Sequence, residues 1–98
     1  MRYIIDIDGT ILNSPPSEYT LAVPMNDRIA KINKLWQEGN YIIYWTARGA
    51  QSGIDWAKYT ENQLKAFGCK YDELVMGKPH YDIWIDDKAV NAYIFFNE

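Results

Sequence analysis

One cysteine, Cys69, and one histidine, His80, are all that the chain contains of those two residues. A lone cysteine excludes an internal disulfide and a zinc cluster built on several thiolates. No apolar run approaches the roughly 20 residues needed to cross a bilayer, and an acid already at position 6 is wrong for a signal peptide. The expectation is therefore a cytoplasmic protein with no membrane partner. An excess of positive charge is missing as well. Ten Lys and Arg against thirteen Asp and Glu leave a net charge of −3, so the broad basic patch of a general nucleic-acid binder is not there. One or two local cations would still suffice to hold a small phosphorylated substrate. The chain also lacks internal repeats, low-complexity tracts and linkers.

What is present fits one domain. Ninety-eight residues, 48% of them hydrophobic, can form a real core. Eight Tyr and four Trp are many for this length. The plain expectation puts Trp36, Trp45, Trp56 and Trp84 at core positions; the sharper one is an exposed aromatic surface for a sugar, a base or a partner.

Along the chain, Arg2–Asp6 reads as a strand whose Tyr3, Ile4 and Ile5 look buried on both faces. Residues 9–24, with Pro15, Pro16 and Pro24, form a loop or a loop with a short hairpin around Tyr19–Val23, placed to act as a flap. A helix is expected over 26–38, capped by Asn26 or Asp27 and closed by Gly39. A second buried strand covers 41–45. A second helix runs from about Asp55 to Phe67 and stops at Gly68. Short strands follow at 74–76 and 81–85, and the tail adds a helical turn or an edge strand. Strands alternating with helices define an α/β fold: a Rossmann-like domain of three layers, a small parallel sheet flanked by helices, with no room for a cap domain.

Polar groups recur where these strands end. Asp6 and Asp8 follow the first, Thr46, Ala47 and Arg48 the second, Lys78 the third, and Asp86 and Asp87 the fourth. The carboxyl ends of parallel strands point the same way and form the ligand crevice, so residues distant in sequence converge. Asp6 and Asp8, one residue apart, need a cation between them or a shared proton. Hard oxygen ligands on one short loop suit Mg2+ that keeps waters and holds a substrate phosphate. Gly9 permits the turn after the two acids. Carboxylates beside Lys, Thr and Arg suit phosphoryl transfer: one carboxylate attacks phosphorus, a second moves the proton, and fixed donors stabilise the transition state. Arg48 is equally suited to a second substrate group or to a surface carboxylate. His80 is expected to be structural or exposed rather than catalytic, and Cys69 to be inert.

Asp6-Ile7-Asp8-Gly9-Thr10 resembles the DxDGT motif of the haloacid dehalogenase (HAD) superfamily of phosphohydrolases. Thr46, Lys78 and Asp86-Asp87 resemble its second, third and fourth motifs, in the family's order, and the resemblance covers nearly the whole chain. Gly77-Lys78-Pro79 through Ile85-Asp86-Asp87-Lys88-Ala89 is similar to small HAD proteins of capsule or surface-polysaccharide biosynthesis. The resemblance implies Asp6 as nucleophile and magnesium ligand. It implies Asp8 as general acid/base with its main-chain carbonyl on the metal, and Thr46 and Lys78 on the phosphoryl group, with Gly9 and Ala47 beside them. Asp86 or Asp87 would complete the Mg2+ site, while Arg48 lies outside the general motif. The expected activity is hydrolysis of a phosphomonoester, such as a sugar phosphate. The alternatives are an end phosphatase for nucleic acid and, from a different class, a receiver-like phospho-accepting domain. Against the last stand the position of the acidic pair at the end of the chain and a Thr, not an Asp, after the second strand. A capless domain with many aromatics is also open to homo-oligomerisation.

Overall fold

The computed structural model describes residues 1–97. Three parallel strands form the sheet: β1 (Arg2–Ile5), β4 (Tyr41–Trp45) and β5 (Glu73–Val75), in the order β1-β4-β5. Helix α1 (Asn26–Gln37) joins β1 to β4, and α2 (Ala57–Ala66) joins β4 to β5. Between β1 and α1 the short strands β2 (Leu12–Asn13) and β3 (Val23–Pro24) pair antiparallel around a 3-10 turn at Tyr19–Leu21. The hairpin foreseen within residues 9–24 is thus wider than Tyr19–Val23. The last element is α3 (Ala92–Phe96). The result is a small Rossmann-like α/β fold.

Local chemistry explains most boundaries. Gly39 takes the left-handed conformation after α1, with φ of +94°. The caps differ from expectation. Neither Asn26 nor Asp27 precedes α1; both lie inside its first turn, where Asp27 favours the positive helix end. Asp55 stays outside α2, and its Oδ1 accepts from Ala57 N at 3.0 Å. Strand β5 ends at Val75, one residue early, because Lys78 N already turns back to donate to Thr46 O at 3.1 Å.

The core lies on one face of the sheet. Tyr3 pairs with Ile42, Ile5 with Tyr44, and Tyr44 with Leu74, and this row packs against Ile29 and Ile32 of α1 and Leu64 of α2. The strand order steps in one direction, and right-handed crossovers then send both helices to the same side. The layer on the other side is the extended segment 81–91, of which Trp84 meets Trp45 edge-on at 5.6 Å. Hence β1 is not buried on both faces: Ile5 is 9% exposed and Ile4 62%.

Residues 81–85 do not form the expected fourth strand. A parallel strand beside β1 would need the chain to return to the far end of the sheet, which takes a crossover of a dozen or more residues; only residues 76–80 separate it from β5. Trp36 and Trp84 are exposed rather than core residues. Cys69 is buried, and burial pushes its thiol up to about 11.

Tyr44 lies at the centre of the core, fully buried, and burial holds its phenol well above the usual tyrosine range. Among the described residues its hydroxyl has no hydrogen-bond partner. An unmatched buried donor costs about 1–3 kcal/mol. Tyr44→Phe is expected to leave stability unchanged or raise it by about 1 kcal/mol, read as the urea midpoint; a clear loss would show that the hydroxyl is matched in solution.

Candidate active site

The carboxyl ends of β1 and β4, the turn after β5 and the proline-rich loop enclose a cavity of about 260 Å³. Asp6, Asp8, Thr46, Ala47, Arg48 and Lys78 line it, with Ser14, Tyr19, His80 and Tyr81. Six residues singled out from three separate stretches of sequence are therefore brought together.

Asp6 follows the last residue of β1, where the sheet ends and side chains face the crevice. Its Oδ1 lies 3.4 Å from Lys78 Nζ, and Thr10 Oγ1 donates to Oδ2 at 3.4 Å. Lys78 itself is buried, with its ammonium 5.1 Å from the ring centre of Tyr81, 5.9 Å from Trp45 and 6.0 Å from Trp84. These rings stabilise the cation without neutralising it, so Lys78 keeps charge for an anion beside Asp6.

Asp8 is held differently. Arg48 grips it with a two-pronged fork, Nε to Oδ2 at 2.9 Å and Nη2 to Oδ1 at 2.8 Å, and Ser14 Oγ donates to Oδ1 at 2.6 Å. Arg48 is buried, and its Nη1 also donates to Thr60 Oγ1 at 3.1 Å and Gln63 Oε1 at 2.8 Å. The Tyr19 ring lies 4.6 Å from the guanidinium carbon, and Gln63 Nε2 donates to Tyr19 O at 2.9 Å. The carboxylate partner of Arg48 is thus Asp8 and not a surface acid. A planar fork on a carboxylate is a geometry that lysine cannot copy.

Thr46 is buried at the tip of β4, where its Oγ1 accepts from Arg48 N at 3.1 Å and shapes the turn. Gly49 continues that turn with φ of +83°, and a Cβ there would collide with the Ile54 carbonyl. Gly9 adopts φ of +83° as expected, but its N–H donates to Leu12 O at 2.8 Å; it forms the turn and offers no donor to a phosphate.

Asp86 and Asp87 do not join the cavity lining. Asp86 is exposed and accepts locally from Lys88 N at 2.8 Å and Trp84 Nε1 at 3.4 Å; the Lys88 bond is the main cause holding its carboxyl below the usual range. The physical reason is the missing fourth strand, which was to carry both acids to the crevice. Among the described residues no three His, Cys, Asp or Glu side chains cluster as a metal cage. The donor set at the cavity does fit a water-rich magnesium ion, which needs only one or two carboxylates plus substrate phosphate. Asp6 supplies such a carboxylate, since neither of its contacts is shorter than 3.4 Å.

Sequence reading missed Ser14, Tyr19, Thr60 and Gln63. Thr60 and Gln63 carried a usable signal: two polar residues three apart on the inward face of α2 need a buried partner.

A solved structure similar to this chain is that of an MCSG target from Vibrio cholerae, 29% identical, with a TM-score of 0.88 over 99% of this chain and 88% of that one. No family model and no curated protein matches the chain. Among the described residues no helix is long and apolar enough to cross a membrane.

Breaking a buried ion pair by removing one partner costs about 3–5 kcal/mol. The Asp8 side chain keeps some exposure, so Arg48→Met is expected near the lower end of that range, and Arg48→Lys is not expected to restore the loss. Urea unfolding of both variants checks this; parental stability in Arg48→Met would show that the fork contributes nothing.

Proposed function

We propose that the chain is a magnesium-dependent phosphomonoester hydrolase, acting in the cytoplasm on a small phosphorylated metabolite such as a sugar phosphate. The observation that carries the reading is the pair of Asp6 and Lys78, a carboxylate and a buried ammonium 3.4 Å apart in a strand-end crevice. A nucleophile next to a fixed cation is what attack on a phosphate anion requires, because the cation offsets the repulsion between the two negative groups. The cavity volume, about 260 Å³, lies just below the usual range for small-molecule sites, which supports a small substrate.

In this mechanism an Asp6 oxygen attacks phosphorus, the bond from phosphorus to the ester oxygen breaks, and an aspartyl-phosphate forms. Lys78 binds the phosphoryl oxygens throughout. The cycle starts with Asp8 protonated: the departing oxygen takes that proton and leaves the carboxylate gripped by Arg48, and Asp8 then takes one from the water that attacks phosphorus and frees Asp6 and inorganic phosphate. Arg48 and Ser14 fix the Asp8 carboxyl for both transfers. Asp6 and the Asp8 main-chain carbonyl would hold Mg2+, which supplies neutralisation of phosphate charge. Asp86 and Asp87 take no part in this scheme.

The test is phosphate release from a panel of sugar phosphates, nucleotides and end-phosphorylated oligonucleotides, each with magnesium and with EDTA. Turnover concentrated on one small-molecule class and lost with EDTA is the expected result. Lys78→Met should lower kcat by about 10²–10³-fold, as for loss of a charge-stabilising donor. Asp6→Asn should lower it by about 10³-fold or more, as loss of a nucleophile does. Full activity of Asp6→Asn would overturn the mechanism.

A further inference from the structure

We infer that the sheet face opposite α1 and α2 is the contact surface of a homodimer, with residues 81–91 of each copy at its rim. Parallel sheets occur almost only with both faces covered. Here the second face carries the alternate residues of the strands, Arg2 and Ile4 of β1, Tyr41, Ile43 and Trp45 of β4, and Glu73 and Val75 of β5, none of which joins the core cluster. Among the described residues, segment 81–91 covers it only in part: Trp84 meets Trp45, while Ile4 stays 62% exposed. Both crossovers place their helices on the core side, and the five residues after β5 are too few for a return.

The segment 81–91 continues that face. Trp84 meets Trp45, while Ile83 and Ile85 are 79% and 92% exposed and Val90 is exposed as well. Apolar sheet and apolar rim therefore form one surface, of a kind that monomeric proteins rarely leave open. Together the seven sheet residues and residues 81–91 come just short of the roughly 20–30 residues that a standard interface uses on each side.

The occupant that fits is a second copy. The face is self-complementary, as a two-fold contact demands. Arg2 lies on β1 at one edge, in register with Tyr41, and Glu73 on β5 at the other, in register with Ile43; between them Tyr41 stacks under Arg2 and donates its hydroxyl to Glu73 at 2.8 Å, contacts that leave both charges unneutralised. A two-fold axis along the strands sets β1 of one copy over β5 of the next. Arg2 then approaches Glu73 of the partner subunit, and the reverse holds at the opposite edge, with apolar residues closing the middle. The contact also bears on the cavity. Tyr81 and Trp84 stack around Lys78, so burying the rim would fix the aromatic wall of that lysine.

The experiment is light scattering or analytical ultracentrifugation of the full chain at micromolar concentration. The expected mass is twice the 11.4 kDa of one chain. Ile83→Asp and Ile85→Asp, both at exposed positions without a role in the folded monomer, should each return the protein to monomer with unchanged far-UV circular dichroism. Leu21→Asp, equally exposed but on the flap, should leave the dimer intact. A monomeric parent chain would overturn the proposal and leave the face to a different partner. So would a dimer that both isoleucine variants preserve, or one that Leu21→Asp disrupts equally. None of these readouts depends on catalysis, so the result is independent of the phosphatase reading.

Discussion

A buried guanidinium must find acceptors for its N–H groups or pay a heavy desolvation penalty. Arg48 finds them on two segments at once: Asp8 on the loop after β1, and Thr60 and Gln63 on α2, while its own turn leaves the tip of β4. Gln63 passes the constraint on to the flap through the Tyr19 carbonyl, and Tyr19 closes it with its ring over the guanidinium. The positions of both crossover connections are thereby linked through one side chain. The geometry of the crevice follows, since Asp8 is held by the fork and Asp6 stands two residues before it.

This arrangement divides the two acids. Asp8 is engaged at both oxygens, whereas Asp6 has only long contacts and faces a cation. Two identical side chains one residue apart thus receive different environments. The same economy shapes Lys78, which is sheltered by aromatic rings and not by a second carboxylate. Its charge is kept for the cavity.

The sheet sets the other constraint. A chain that steps β1-β4-β5 in one direction puts both helices on one side and leaves the opposite side to a loop. That layout covers the core economically in fewer than a hundred residues, but it exposes Ile4 and its neighbours. The absence of a strand at 81–85 has a related origin: the connection 76–80 from β5 is too short for a crossover. Its consequence reaches the site, because Asp86 and Asp87 remain on the exposed segment and satisfy themselves locally.

By itself the sequence determined that Asp6, Thr46 and Lys78 meet, though not that Asp86 and Asp87 stay away. Apolar runs ending in Asp6, Thr46 and Lys78, separated by amphipathic stretches of helical period, are enough to imply a parallel sheet with those groups in one crevice, because strand direction and right-handed crossovers leave few alternatives. Gly9 and Gly39 marked their turns for the same local reason, a positive φ. Tertiary structure alone decided what depends on packing and chain length. It matched Arg48 with Asp8, since a buried fork takes whichever carboxylate the fold brings within reach. It made Ile4 an exposed residue, since local pattern cannot tell whether a helix will cover a face. And it left Tyr81–Ile85 unpaired despite a strand-like composition, since composition records a preference for extended backbone but not whether the connection is long enough to reach a partner.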